Sequence, residues 1–300
     1  CLLIPVACIF ISISVRKPLS ADIGRGEYLS RAAGCMSCHT NFEGGGLLLT
    51  GGRAINSPYG VFYSTNITPD RLTGIGKWSD DDFITALRHG RSPEGKPYYP
   101  VFPYLAYAQM RTQDILDIKE YLFSQKPILN KNLPHRLRFP FSLRMIMIPW
   151  QWLFFSTEDS DIEEELNGLN QRGRYLVEVL GHCSECHTPR NMLGSLKGGA
   201  HLAGTRYGPE GTIVPNITPD EETGIGKWSK ADLILFLETG IKPNGDTVQG
   251  HMQEIIDDSL SYLNEADLRS IVLYLKSIPG INKQVKHNAL NNNLENYDEW

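Results

Sequence analysis

Cys35-Met36-Ser37-Cys38-His39 reads C-x-x-C-H, and Cys183-Ser184-Glu185-Cys186-His187 reads the same way. This spacing suits covalent attachment of a c-type haem. Two thiols one turn apart can add to the two vinyl groups of one porphyrin, and the His that follows sits under the iron as a nitrogen ligand. One such motif alone could be a zinc knuckle or a redox C-x-x-C with an incidental His. Two motifs inside repeated surroundings favour haem.

The repeat extends well beyond the motifs. Asn66-Ile67-Thr68-Pro69-Asp70 recurs as Asn216-Ile217-Thr218-Pro219-Asp220. Thr73-Gly74-Ile75-Gly76-Lys77-Trp78-Ser79 recurs as Thr223-Gly224-Ile225-Gly226-Lys227-Trp228-Ser229. Both blocks are displaced by 150 residues (216 − 66 and 228 − 78), and the haem motifs by 148 (183 − 35). Such a period is far too long for a solenoid and indicates two copies of one domain.

The copies predict the same elements. A helix runs through Gly26-Glu27-Tyr28-Leu29-Ser30 in the first copy and Gly173-Arg174-Tyr175-Leu176-Val177 in the second, and the haem motif ends it. A Gly-rich loop follows, then the Asn-Ile-Thr-Pro-Asp turn. Ser79 and Ser229 are N-cap candidates. Phe83, Ile84 and Leu87, matched by Leu233, Ile234 and Leu237, recur at helical spacing. Gly90 and Gly240 are C-cap candidates. A last helix carries Ile115, Ile118, Tyr121 and Leu122 in one copy and Leu268, Ile271, Tyr274 and Leu275 in the other, with Thr112 and Asn264 as caps. Short helices with few strand signals predict an all-α fold. A haem adds apolar surface that a domain of this size needs for its core.

The composition is that of a soluble globular chain. Its 300 residues are 41% hydrophobic and 21% charged, with a formal net charge of −5, so no basic block argues for nucleic acid. Of six Cys, four lie in the haem motifs. Cys1 and Cys8 lie in an apolar run, Cys1 to Val15, that is followed by Arg16-Lys17. Three readings of that run are open: the end of a membrane anchor, a signal h-region, or a lipidated Cys1. An export signal that also anchors agrees with haem attachment, which in bacteria takes place outside the cytoplasmic membrane.

Between the copies, residues 127–166 have no counterpart. Phe139-Pro140-Phe141 and the run from Met145 to Phe155 are aromatic and apolar, with Arg136, Arg138 and Arg144 interleaved. Such a linker either packs across both domains or meets a membrane surface or partner. Asp159 to Glu165 reads as a solvated acidic stretch, and the Asn-rich tail after Lys283 as mobile.

An electron-transfer haem takes a second axial ligand, and Met raises its potential relative to His. Met252, shortly before the last helix, is the candidate in the second copy, with His251 beside it as a competitor. The repeat register then gives residue 102 in the first copy (252 − 150), which is Phe and cannot bind iron. Met110 is the nearby thioether. Counted back from the last helix, however, it pairs with Leu263 and reads equally well as a hydrophobic staple. His89, at a helix end, is not favoured.

These blocks, with Tyr99-Pro100-Val101-Phe102-Pro103-Tyr104, the Leu137-to-Phe155 linker and Cys183 through Asn191, resemble the cytochrome c subunits of bacterial membrane-bound dehydrogenases of the alcohol and gluconate dehydrogenase type. The resemblance covers nearly everything after residue 20. It implies two tandem class I-like cytochrome c domains, 21–126 and 167–283, joined by the aromatic-rich linker 127–166. An apolar signal or anchor segment (1–20) and a tail (284–300) flank them. It also implies two covalently bound haem c groups, on Cys35 and Cys38 with His39 and on Cys183 and Cys186 with His187. The implied role is an electron relay rather than an enzyme. Electrons would come from a periplasmic dehydrogenase catalytic subunit and go to quinone or another cytochrome, on the periplasmic side of the bacterial inner membrane. Members of that group typically carry three haem motifs, and this sequence carries two. The rival reading is a diheme peroxidase-like enzyme or gas sensor that uses an open first haem, and Phe102 favours it.

Overall fold

The computed structural model describes residues 21–155 and 168–285. The expectations for the apolar N-terminal run, for Asp159 to Glu165 and for nearly all of the tail fall outside these residues. The described residues are mostly helical. Helix α1 spans Ile23–Ala32 and α2 spans Cys35–His39, followed by α3 (Asp80–His89), α4 (Tyr104–Tyr107) and α5 (Thr112–Ser124). After the intervening segment, which holds α6 (Met147–Phe154), come α7 (Leu169–Arg174) and α8 (Ser184–His187). The chain continues with α9 (Lys230–Thr239), α10 (His251–Asp258) and α11 (Glu265–Ser277). A π-helical segment, Tyr175–Leu180, extends α7. No helix among the described residues is long and apolar enough to cross a membrane.

Local chemistry explains most boundaries. Ser79 and Ser229 each form a reciprocal capping box, with Asp82 and Asp232 respectively. Gly90 and Gly240 close α3 and α9 in the left-handed region, at φ 58° and 76°. Asn264 caps α11 by accepting from the Asp267 N–H. Thr112 does not cap α5. Arg111 holds the N-cap position without a side-chain bond, and the Thr112 hydroxyl instead accepts from Arg88 Nη2 at 2.9 Å. Nor does the haem motif end the first helix. α1 stops at Ala32, Gly34 turns the chain at φ 66°, and the motif forms a helix of its own.

The expectation of an all-α fold needs one correction. A small antiparallel sheet joins β1 (Ala54–Ser57), β2 (Gly60–Tyr63) and β3 (Arg136–Leu137) in the order β1-β2-β3. These strands are only two to four residues long, too short for a periodicity that a sequence reading could detect.

α1 packs across α5, and α7 packs across α11. Both crossings depend on glycine. A Cβ on Gly26 would lie 1.9 Å from the Asp117 carbonyl oxygen, and one on Gly173 would lie 1.9 Å from that of Ser270. The larger of two apolar clusters contains residues of both sequence copies, among them Leu29, Ile115, Leu176 and Leu268.

The copies also exchange polar contacts reciprocally. Tyr28 of the first donates to Asp267 of the second at 2.6 Å. Tyr175 of the second donates to Asp114 of the first, also at 2.6 Å. These are equivalent positions, since 175 − 28 = 147 and 267 − 114 = 153, close to the spacing of the repeated blocks. Asp114 further pairs with Arg25 and Arg111, and Asp267 with Arg172. Each buried carboxylate is therefore charge-paired as well as hydrogen-bonded, which burial requires.

The segment between the copies touches both of them. Trp150 Nε1 donates to the Leu193 carbonyl at 2.7 Å, and the Tyr99 hydroxyl donates to that of Phe141 at 2.8 Å. Phe62, Tyr99, Tyr104, Met147 and Trp150 form a second apolar cluster. Phe139, Met145 and Trp152 point outward and are well exposed.

Candidate haem sites

In α2 the positions i, i+3 and i+4 place Cys35, Cys38 and His39 on one helix face. Met36 and Ser37, on the other face, are buried in the core. Cys183, Cys186 and His187 repeat the arrangement around α8, with Ser184 buried behind them. No disulfide joins the four motif cysteines. Burial pushes the Cys35 thiol up to about 12 and the Cys186 thiol up to about 11, so they are held neutral. Among the described residues no three His, Cys, Asp or Glu side chains gather as a metal-ion site.

Each motif histidine is oriented by the repeated block downstream. His39 Nδ1 lies 2.6 Å from the Thr65 carbonyl oxygen, and His187 Nδ1 lies 2.8 Å from that of Pro215. A carbonyl can only accept, so Nδ1 carries the proton and Nε2 keeps its lone pair. Burial lowers the pKa of both imidazoles, against the opposing effect of these hydrogen bonds. A neutral imidazole with Nδ1–H fixed on a carbonyl is the state of a metal-ligating histidine.

Thr65 and Pro215 stand immediately before Asn66 and Asn216, which accounts for the repeated Asn-Ile-Thr-Pro-Asp block. Asn66 Oδ1 accepts from both the N–H and the hydroxyl of Thr68, while its Nδ2 donates to Thr73 and to the Ile128 carbonyl. Asn216 does the same with Thr218, Thr223 and the Ile281 carbonyl. The turn is thus pinned to the chain beyond the last helix, and it holds the carbonyl that aims the histidine. Sequence reasoning missed this function because the acceptor is a backbone atom, indifferent to residue type.

The structure sorts the thioethers. Met36 faces the core behind the first motif, Met147 belongs to the second cluster, and Met145 and Met192 are exposed. Met110 is wholly buried in the same core that Cys35 packs against, while Met252 is half-buried against that core at the start of α10. Met110 and Leu263 both stand one residue before an N-cap, Arg111 and Asn264. The register counted back from the last helix therefore holds. Phe102 stacks edge-on against Tyr98 and Tyr107.

Among the other described histidines, His251 and His135 have polar partners. His251 Nε2 lies 3.2 Å from Glu210 and its Nδ1 3.5 Å from Glu254. His135 Nδ1 accepts from the Tyr63 N–H. His89 lies in the last turn of α3.

The two motifs are neighbours. α10, which carries Met252, packs on α2. Arg53 clamps that contact by donating to the Ser37 carbonyl at 2.8 Å and pairing with Glu254.

Two helices, each presenting two thiols and one oriented imidazole beside an apolar core, define a c-type cytochrome architecture with two cofactor sites. Comparison with known proteins specifies it further. The chain is 41% identical over 267 residues to a diheme cytochrome c-type protein of Cereibacter sphaeroides, covering 88% of each. It is 42% identical to the fructose dehydrogenase cytochrome subunit of Gluconobacter japonicus, over 86% of this chain and 53% of that protein. It is 36% identical to the gluconate 2-dehydrogenase cytochrome c subunit of Pantoea cypripedii, over 90% and 62% respectively. The chain thus spans roughly half to two-thirds of these two dehydrogenase subunits. No protein-family model matches it. The chain belongs to the diheme c-type cytochrome family, and its relatives include cytochrome subunits of dehydrogenases.

Proposed function

We propose that this chain is a diheme electron relay, built as two tandem class I-like cytochrome c domains around residues 21–126 and 167–283. Cys35 and Cys38 would hold one haem c by thioether bonds, and Cys183 and Cys186 the other. The observation that carries the proposal is the pair of Nδ1-to-carbonyl contacts, His39 to Thr65 and His187 to Pro215. They leave each Nε2 free to bind iron. The haem supplies a one-electron couple, and the protein sets its potential through the opposite ligand and the surrounding polarity. Met252 is the proposed second ligand of the haem on His187, and Met110 that of the haem on His39. Met110 is a thioether of the first copy buried in the core against which Cys35 also packs.

The relatives' names support a dehydrogenase catalytic subunit as electron donor. Quinone or another cytochrome is the proposed acceptor, and the periplasmic face of the bacterial inner membrane the proposed location. The exposed Phe139, Met145 and Trp152, flanked by Arg136, Arg138 and Arg144, make a surface suited to that setting. The second reading, a peroxidase-like enzyme or gas sensor with an open first haem, draws on Phe102, which occupies the register position of Met252.

Spin state decides between them. For the relay, the oxidised protein is low-spin at both haems and binds carbon monoxide poorly when reduced. Met110→Ala and Met252→Ala should each convert one haem to high spin. A wild-type protein with one high-spin haem that binds carbon monoxide readily would favour the enzyme or sensor.

A further inference from the structure

Each haem motif is preceded by a residue at positive φ. In the first copy it is Gly34, at 66°; in the second it is His182, at 36°. The positions are equivalent (182 − 34 = 148). Glycine adopts this conformation freely, whereas a side chain with a Cβ is strained there. Strain of this kind persists where the surroundings impose it, and it gathers at functional positions.

What surrounds His182 is the other copy. Its Nε2 lies 3.8 Å from where a Cβ on Gly34 would be. Its ring meets that of Tyr107 edge-on, with centroids 5.6 Å apart. The Tyr107 hydroxyl donates to the Ala33 carbonyl at 2.6 Å, and the His182 ring faces the same backbone group. Ala33 and Gly34 lead directly into Cys35, and His182 leads directly into Cys183. Two aromatic rings therefore join the segments that carry the two cofactor sites.

We propose that His182, braced by Tyr107, is the positioning residue that couples the two haem sites by fixing the spacing of the segments that carry them. This rests on the diheme reading above. One electron passes, one site being oxidised as the other is reduced, and no bond is made or broken. A role confined to packing would be met better by glycine, which would relieve the backbone as Gly34 does.

The test uses His182→Gly and His182→Asn, two residues that tolerate positive φ without an aromatic ring. Tyr107→Phe, which keeps the ring but loses the hydrogen bond, completes the set. Each is purified with its haems, and redistribution of a single electron between the haems is followed by flash photolysis of the half-reduced protein. Both His182 variants should retain two haems and the wild-type melting temperature or better, yet redistribute the electron several-fold more slowly. Tyr107→Phe should fall between them and the wild type. Wild-type rates in a His182 variant with two haems would overturn this inference and leave the diheme reading intact. A wild-type chain with fewer than two haems would overturn that reading, and this inference with it.

Discussion

The two glycine crossings make the most demanding prediction. A Cβ on Gly26 would lie 1.9 Å from the Asp117 carbonyl oxygen, and ordinary contact begins near 3.4 Å, so α1 and α5 must part by about 1.5 Å (3.4 − 1.9). The obstructing atom is backbone and cannot rotate away. The displacement also pulls Arg25 from Asp114 and Asp117, with which it pairs. Overpacking costs about 1–3 kcal/mol where side chains can adjust, so Gly26→Ala belongs at about 3 kcal/mol or beyond. For a chain of this size that lowers the melting temperature by about 6–12 °C. Gly24 provides an internal control two residues earlier in the same helix. It is exposed, and an added Cβ would meet nothing closer than 3.5 Å. Gly24→Ala should be neutral or stabilise by up to about 1 kcal/mol through lower unfolded-state entropy. Thermal melts of haem-loaded wild type, Gly24→Ala, Gly26→Ala and Gly173→Ala are the assay. Equal melting temperatures for Gly24→Ala and Gly26→Ala would refute the close crossing.

Three further outcomes follow from the buried polar contacts and the proposed ligands. Tyr28→Phe and Tyr175→Phe each delete a hydrogen bond to a carboxylate and one accepted from a backbone N–H, of Asn264 and Arg111 respectively, and should cost about 1.5–3 kcal/mol apiece. The double variant should be close to the sum, which denaturant titration measures, with haem content unchanged. Burial raises the Asp267 pKa, but hydrogen bonds from Arg172 and Tyr28 overcome it and hold the carboxyl below its ordinary 3.8. Its contribution to stability is therefore whole above that value and is lost as pH falls through the lower folded value. Asp267→Asn should be less stable by about 3 kcal/mol at neutral pH, and unfolding at a series of pH values should show the gap narrowing below 3.8. Met252→Ala should lower the potential of one haem and leave the other nearly unchanged, as read by potentiometric titration.

Much of this arrangement was legible in the sequence, for local reasons. Capping boxes at Ser79 and Ser229 and left-handed glycines at 90 and 240 act within one helical turn, so residue identity suffices to find them. The spacing of cysteines and histidine identified the motifs, but not that the first forms a helix of its own. Long-range contacts were not legible. Nothing adjacent to Tyr28 indicates that its partner is Asp267, 239 positions away. Thr112 misled because a tertiary partner, Arg88, took the hydroxyl that capping would have used. The sheet escaped because its third strand comes from the segment between the copies, Arg136–Leu137. The first-copy ligand was ambiguous because two registers compete. One, fixed by the repeated blocks, sets Phe102 at the position of Met252, and the other, fixed by the last helix, pairs Met110 with the apolar Leu263. The caps of α3 and α9 keep the first register, and those of α5 and α11 keep the second.

The central claim is that both C-x-x-C-H helices hold a haem. It is tested most directly by the intact mass of the purified chain under denaturing conditions, together with variants that remove each cysteine pair. The wild-type mass should exceed that of the polypeptide by two haems. Cys35→Ala/Cys38→Ala and Cys183→Ala/Cys186→Ala should each leave one covalent haem. An increase of a single haem in the wild-type chain, or none, would contradict it.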